Sequence, residues 1–371
     1  MSDPLSQPAA AGPRRIAGLD TLRFLAALMV VVAHARGVYR LFEAPWPVEG
    51  VMNAYSAVAL FFVLSGYVLH QSCVAAGFGP RAYGSFVVRR VLRLYPLHLV
   101  ALGLAAVVIL ALPLGGSPLL GSSEYAQETI ARGDHHDLRQ WLNQAILVGG
   151  GMDSTFANPP IWTLAAEMRI SLLFPLLSLL VARTGIRTAA VLTLVSMACG
   201  PWLAKVTLPT AGMVPLFLLG ALAAKAGDCI PGLRRTPGWL FWAGLVVYAM
   251  AACTSRTPFG RLGLFYVAGL GSALMMLVVA HHEGFARRLS HPVLVGLGLC
   301  SYGIYLLHFP LLLLVTWAAG RAGAPPAAIL PALLVLVIPL AWILYHAVER
   351  PFIVLGRRLS GRKISRRPVA P

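Results

Sequence analysis

Charge is scarce in this chain. Of its 371 residues only 12% are Asp, Glu, Lys or Arg, and just 13 are acidic. A soluble domain carries about 25% charged residues, so a water-facing globule is excluded. The long apolar runs lack dyad alternation, which excludes a membrane β-barrel. The five cysteines (Cys73, Cys199, Cys229, Cys253 and Cys300) contain no CxxC pair. Neither a zinc site nor a disulfide framework is therefore implied, and they read as small buried hydrophobes. There is no GxSxG elbow, no Walker loop and no HExxH. No basic stripe is interleaved with aromatics, so nucleic acid is not an expected partner. No repeat and no separate soluble domain is evident.

What the chain has is apolar length. It is 58% hydrophobic, with a mean hydropathy of +0.75. Ten stretches suit a bilayer, which takes about 20 residues per helix. They are Ile16–Ala35, Met52–His70, Tyr95–Leu112, Pro160–Val181, Thr188–Leu203, Ala211–Lys225, Trp239–Cys253, Leu262–Ala280, Val293–Ala318 and Ala327–Ala347. The expected fold is an all-α integral membrane protein, a bundle of about ten transmembrane helices. Ala211–Lys225 and Trp239–Cys253 are the shortest. Leu138–Val148 is too short and polar to span and reads as interfacial or re-entrant.

Charge placement predicts an orientation. With the N-terminus in the cytoplasm, twenty of the 30 Lys and Arg fall on inner segments and eight on outer ones. That asymmetry matches the positive-inside rule, and an even number of spans puts both termini in the cytoplasm. The net charge of +17 then faces anionic lipid headgroups. The expected organisation is a disordered N-tail (1–14), a ten-span domain (15–356) and a basic C-tail (357–371). Arg14-Arg15 before an apolar run, with Ala33-His34-Ala35 after it, imitates a signal peptide. Nine further spans need no release, so no cleavage is expected. The loop Leu114–Pro159 is long enough to cover a site. It holds Asp134, His135, His136 and Asp137, but adjacent residues rarely share one helical face, and no metal site is expected.

Ionisable groups inside spans mark function by default. Arg23 and His34 are eleven residues apart on the first span, nearly on one face and about 16 Å apart along the axis. That separation suits two ends of an elongated site; the bland alternatives are snorkelling for Arg23 and an interfacial histidine for His34. Arg90 and Arg93, at i and i+3, read as a fork for phosphates or as plain positive-inside anchors. Glu167 follows Asn158-Pro159-Pro160-Ile161-Trp162 in the fourth span. It calls for a partner: it could orient His34, take a proton or join an ion pair. Ser301, Tyr305 and His308 form one polar face that either lines a site or hydrogen-bonds between helices. Glu349-Arg350 reads as a structural ion pair.

Together these segments resemble the membrane acyltransferase family 3, bacterial integral-membrane O-acyltransferases. The resemblance rests on LDTLRFLAALMVVVAH (19–34), ALFFVLSGYVL (59–69), FVVRRVLRLYP (86–96), NPPIWTLAAEMRISLLFP (158–175), FLLGALAA (217–224), LGLCSYGIYLLHFP (297–310) and VERPF (348–352). It implies a ten-span domain in the bacterial inner membrane that moves an acyl group, acetyl in the first instance, from acyl-CoA to a hydroxyl of a surface glycan or similar acceptor. No cofactor is implied; acyl-CoA is a co-substrate. Arg23 and His34 are implied at the catalytic centre, and Arg90 and Arg93 at the acyl donor; Glu167 is a third catalytic candidate that could orient the His34 ring. Trp162, Tyr302, Tyr305 and His308 are candidates to line the site. His34 would act as general base or as transient acyl carrier. The chain departs from its relatives at Ala57-Val58-Ala59, where Gly-Val-Asp is common, and at Glu167-Met168-Arg169, where Glu-Glu-Gln is common. It lacks the hydrolase-like domain that some members append. The competing class is a transporter or flippase without acyl-transfer chemistry.

Overall fold

The structure is a computed structural model describing residues 16–39, 48–114, 118–121, 137–148, 156–206, 209–230, 237–256 and 260–361. The N-tail, Asp134, His135 and His136, much of the 114–159 loop and the end of the C-tail lie outside the described residues. Within them there is no strand. Ten apolar helices carry the bundle: α1 (Ala17–Tyr39), α2 (Ala54–Ala76), α3 (Pro80–Ala111), α4 (Ile161–Arg183), α5 (Ile186–Val206), α6 (Val214–Cys229), α7 (Trp239–Met250), α8 (Gly260–His281), α9 (Ser301–Ala322) and α10 (Ile329–Leu344). Among the described residues, nine helical segments are long and apolar enough to cross a membrane. The tenth, α7 with its 3-10 extension, is shorter, as its sequence suggested.

The backbone explains this architecture. Hydrocarbon offers no hydrogen-bond partner, so each segment must satisfy its own amides. α2 starts where Asn53 accepts from the amides of Tyr55 (2.9 Å) and Ser56 (3.2 Å). α3 starts on Pro80, whose missing N–H costs nothing there. Leu306 poses the converse problem, because Pro310 lacks the amide that would bond its carbonyl. Asn158 Nδ2 fills that place at 2.9 Å. Large side chains such as Leu176 and Val335 stand 66% and 75% exposed, as lipid-facing positions do.

Three boundaries differ from expectation. α3 begins at Pro80, not near Tyr95, and Arg90 and Arg93, in its third and fourth turns, pair with carboxylates. Val293–Ala318 is not one span: a short helix, Pro292–Leu299, ends at Cys300 and α9 starts afresh at Ser301. The break lies beside Gly298, where a Cβ would collide with the Asp20 carbonyl of α1. α10 runs through a π-turn, Tyr345–Glu349, into an amphipathic helix, Arg350–Leu359, which takes in the start of the expected tail. The short piece near Leu138 is a separate helix, Leu138–Ile146, capped by Asp137. All five cysteines are free; Cys73 and Cys300 are buried, but Cys199, Cys229 and Cys253 lie on the surface, contrary to the reading of all five as buried.

α2 and α6 pack backbone to backbone. A Cβ on Gly66 would strike the Phe217 carbonyl, and one on Gly220 the Val63 carbonyl. Small residues at such crossings let helices approach where lipid provides no hydrophobic drive. Gly66→Leu is therefore expected to cost about 1–3 kcal/mol or more, by forcing the pair apart. An unchanged thermal midpoint in detergent would show that the crossing tolerates the side chain.

Candidate active site

The arginines expected at the donor end converge on one cavity. It has a volume of about 500 Å³. It extends from Gln71 and Arg357 to Phe61, Thr163 and Tyr305. Arg23, Arg89, Arg90, Arg93 and Arg357 line it against two carboxylates, Asp20 and Glu167. Four of these arginines come from α1 and α3. Arg357 comes from the amphipathic helix after α10, and nothing in its basic-tail context marked it as a site residue.

Three of these half-buried arginines are held by carboxylates. Arg23 Nη1 meets Asp20 Oδ1 at 3.0 Å, one helical turn back. Arg90 is clasped by two residues a turn apart on α4: its Nη2 donates to Glu167 Oε1 and its Nε to Ser171 Oγ at 2.9 Å. Glu167 Oε1 also accepts from Ser65 Oγ at 2.9 Å. Arg93 Nη1 donates to Glu349 Oε1, and its guanidinium lies 5.8 Å from the Tyr302 ring centroid. The partner of Glu167 is thus Arg90, across the bundle, and Glu349 pairs with Arg93 rather than with the adjacent Arg350. Arg90 and Arg93 do share a face, yet both are engaged by carboxylates, with donors left over for a ligand.

His34 lies elsewhere. It is half-buried further along α1 and does not line the cavity. Its Nδ1 is 2.9 Å from the Val30 carbonyl, four residues back. A carbonyl only accepts, so Nδ1 carries the hydrogen and Nε2 the basic lone pair. Its ring packs against His308 of α9, centroids 5.0 Å apart, and against Phe309. His308 is fully buried, and its Nδ1 donates to the Tyr305 carbonyl at 2.6 Å. The ring neighbours described for His34 are thus a second imidazole and Phe309.

Tyr305 stands between the two halves. It lines the cavity, and its ring meets Phe61 at 5.5 Å on one side and His308 at 5.9 Å on the other. Its hydroxyl is 2.7 Å from Thr163 Oγ1. Ser301 and Tyr302 also line the cavity, whereas Trp162 packs edge-on against Phe265 and is not among the lining residues. Asp20, Ser65 and Thr163 were missed in the sequence, and Glu349 was read only as a partner for Arg350. Asp20, at i−3 from Arg23, was the one partner that spacing alone could have supplied. Among the described residues no group of three or more His, Cys, Asp or Glu could hold a metal.

The bundle thus holds an arginine-lined cavity and, outside its lining, a half-buried histidine packed on a buried one. Comparison with known proteins makes the class definite: residues 16–346 match the model of the family described as "Acyltransferase domain", and the chain belongs to that family of acyltransferases. It is 27% identical to "Acyltransferase MdmB" of Streptomyces mycarofaciens over 96% of this chain and 94% of that one. It is 24% identical to "Putative peptidoglycan O-acetyltransferase YrhL" of Bacillus subtilis (strain 168) over 95% of this chain and 57% of that one. A 37% match to "Protein 2 in picA locus" of Rhizobium radiobacter covers 29% of this chain and 52% of that protein. No solved structure matches. Membership answers the transporter alternative in favour of an enzyme.

Proposed function

We propose that this protein is an O-acyltransferase of a bacterial inner membrane, with both termini cytoplasmic, that moves an acetyl group from acyl-CoA to a hydroxyl on a carbohydrate acceptor. The observation that carries the reading is the cavity: five arginines against two carboxylates, at the end of the bundle that the positive-inside rule puts in the cytoplasm. Guanidinium groups grip phosphates bidentately, and CoA is the phosphate-rich form in which acyl groups are available there. A relative bearing a peptidoglycan O-acetyltransferase name supports a hydroxyl-bearing sugar as acceptor.

In this reading the thioester passes the Tyr305 partition to reach His34. The Nε2 lone pair takes the proton of the acceptor hydroxyl, the oxygen attacks the carbonyl carbon, and the C–S bond breaks. CoA leaves as thiolate and recovers the proton. Neutral imidazole suits the task because it offers a basic nitrogen without carrying a charge into the bundle.

Arg357 provides the clean test of the donor end, because Arg90 and Arg93 also hold carboxylates and their loss would confuse binding with folding. One charge-assisted hydrogen bond is worth roughly 1.5–3 kcal/mol. Arg357→Ala is therefore expected to weaken acyl-CoA binding about ten- to a hundredfold, with no change in thermal midpoint. The measurement is acyl-CoA affinity in proteoliposomes, alongside acceptor-dependent release of free CoA. Equal affinity in variant and wild type would remove the phosphate role from this rim.

A further inference from the structure

We propose that Tyr305 is a catalytic residue, whose O–H stabilises the oxyanion formed when the acyl carbonyl is attacked. The assignment rests on the acyl-CoA reading above and adds a group that it does not contain. Tyr305 touches both the donor cavity and the histidine pair: Phe61 and Thr163 on the cavity side, His308 on the other, and His308 in turn packs on His34. In the acyl-CoA reading, the acyl group passes this side chain on its way from the cavity to His34.

The hydroxyl is also a donor. Thr163 Oγ1 lies 2.9 Å from the Pro160 carbonyl, whereas Tyr305 lies 3.4 Å from it. The better-made arrangement has the threonine hydrogen on Pro160 and the tyrosine hydrogen on Thr163 Oγ1, at 2.7 Å. Tyr305 thus holds an O–H in the wall of the cavity, beside Phe61 and Thr163. Exchanging Thr163 for an oxyanion replaces a neutral hydrogen bond by a charge-assisted one, about twice as strong. The exchange is favourable only when the negative charge is present, which is the condition for accelerating the chemical step rather than tightening ground-state binding.

The step balances without transfer of the tyrosine proton. The nucleophile bonds to the carbonyl carbon, the carbonyl π pair moves to oxygen, and the Tyr305 O–H donates to that oxygen. The pair then returns as the C–S bond breaks and CoA leaves as thiolate. The arrangement gives this chain an oxyanion donor on a helix, although it has no serine elbow to bring one.

Tyr305→Phe keeps the ring contacts with Phe61 and His308 and removes only the donor. Loss of one oxyanion donor typically lowers kcat by roughly 10²–10³-fold, and that is the expected result in proteoliposomes, with acyl-CoA affinity unchanged. A structural hydroxyl would instead lower the thermal midpoint and spare kcat. Mono- and difluorinated tyrosine at this position form a second series, preserving the fold while changing donor strength; kcat should shift along it. Wild-type kcat in Tyr305→Phe, or a flat fluorotyrosine series, would overturn the assignment. His34→Ala is measured in parallel. Turnover surviving there would sink the acyl-transfer mechanism itself, whereas an inactive His34→Ala beside an unaffected Tyr305→Phe removes Tyr305 alone.

Discussion

His34→Ala is expected to lower acyl transfer by roughly 10²–10⁴-fold, the range for loss of a general base, and to leave the bundle assembled. The activity argument starts from the tautomer. Val30 occupies Nδ1, so the basic lone pair sits on Nε2. The stability argument starts from position. The ring is half-buried and meets its neighbours through His308 and Phe309, whereas α1 is held in the bundle by fully buried Ala26, Ala27, Val30 and Val31. Removing an imidazole at the edge of that contact removes chemistry before it removes packing. His34→Gln fills similar space without a base and should be equally inactive. Limited proteolysis of both variants checks insertion, and turnover near wild type in either would move the reacting group elsewhere, with His308 the next candidate.

The second large effect is on stability, and it is asymmetric. Arg93 and Glu349 form an ion pair in which the arginine side chain is 35% exposed and the carboxylate 0%. Stranding one member of a buried pair costs about 3–5 kcal/mol. Arg93→Ala leaves Glu349 inside the bundle without its cation, so the full penalty applies. Glu349→Gln leaves Arg93 facing the cavity, where water can solvate it, and the loss should be a fraction of that. The double variant Arg93→Met with Glu349→Leu should recover most of the stability, since apolar replacements of buried pairs are often neutral or better. Thermal unfolding in detergent ranks the three. If Glu349→Gln proved the more damaging single change, burial would not be what sets the penalty.

Apolar length made the helices readable, because a bilayer leaves the chain few other options. Arg23 and His34 could be placed on one face because both lie on α1, where spacing is geometry. The partners of Arg90 and Arg93 could not be read. Glu167 and Glu349 arrive from 77 and 256 residues away, and the second is turned inward by a π-turn that no periodicity announces. The break at Cys300 was hidden for a similar reason: Gly298 looks like any glycine in an apolar run until the Asp20 carbonyl packs against it. Arg357 looked like headgroup charge until the amphipathic helix carried it to the cavity.

The Tyr305 partition bears on more than acyl transfer. A membrane that stores a proton gradient must remain an electrical insulator, and this protein holds an arginine-lined hollow of about 500 Å³ and a pair of packed imidazoles within one bundle of apolar helices. The Tyr305 ring and Phe61 form the layer between them. Were that layer opened from both faces at once, the row of arginines, hydroxyls and histidines would become a wire for protons. Under the proposed transfer, the donor and acceptor faces have to be exposed in turn, so that the acyl group crosses through an airlock and the cell's voltage does not drain through its own enzyme.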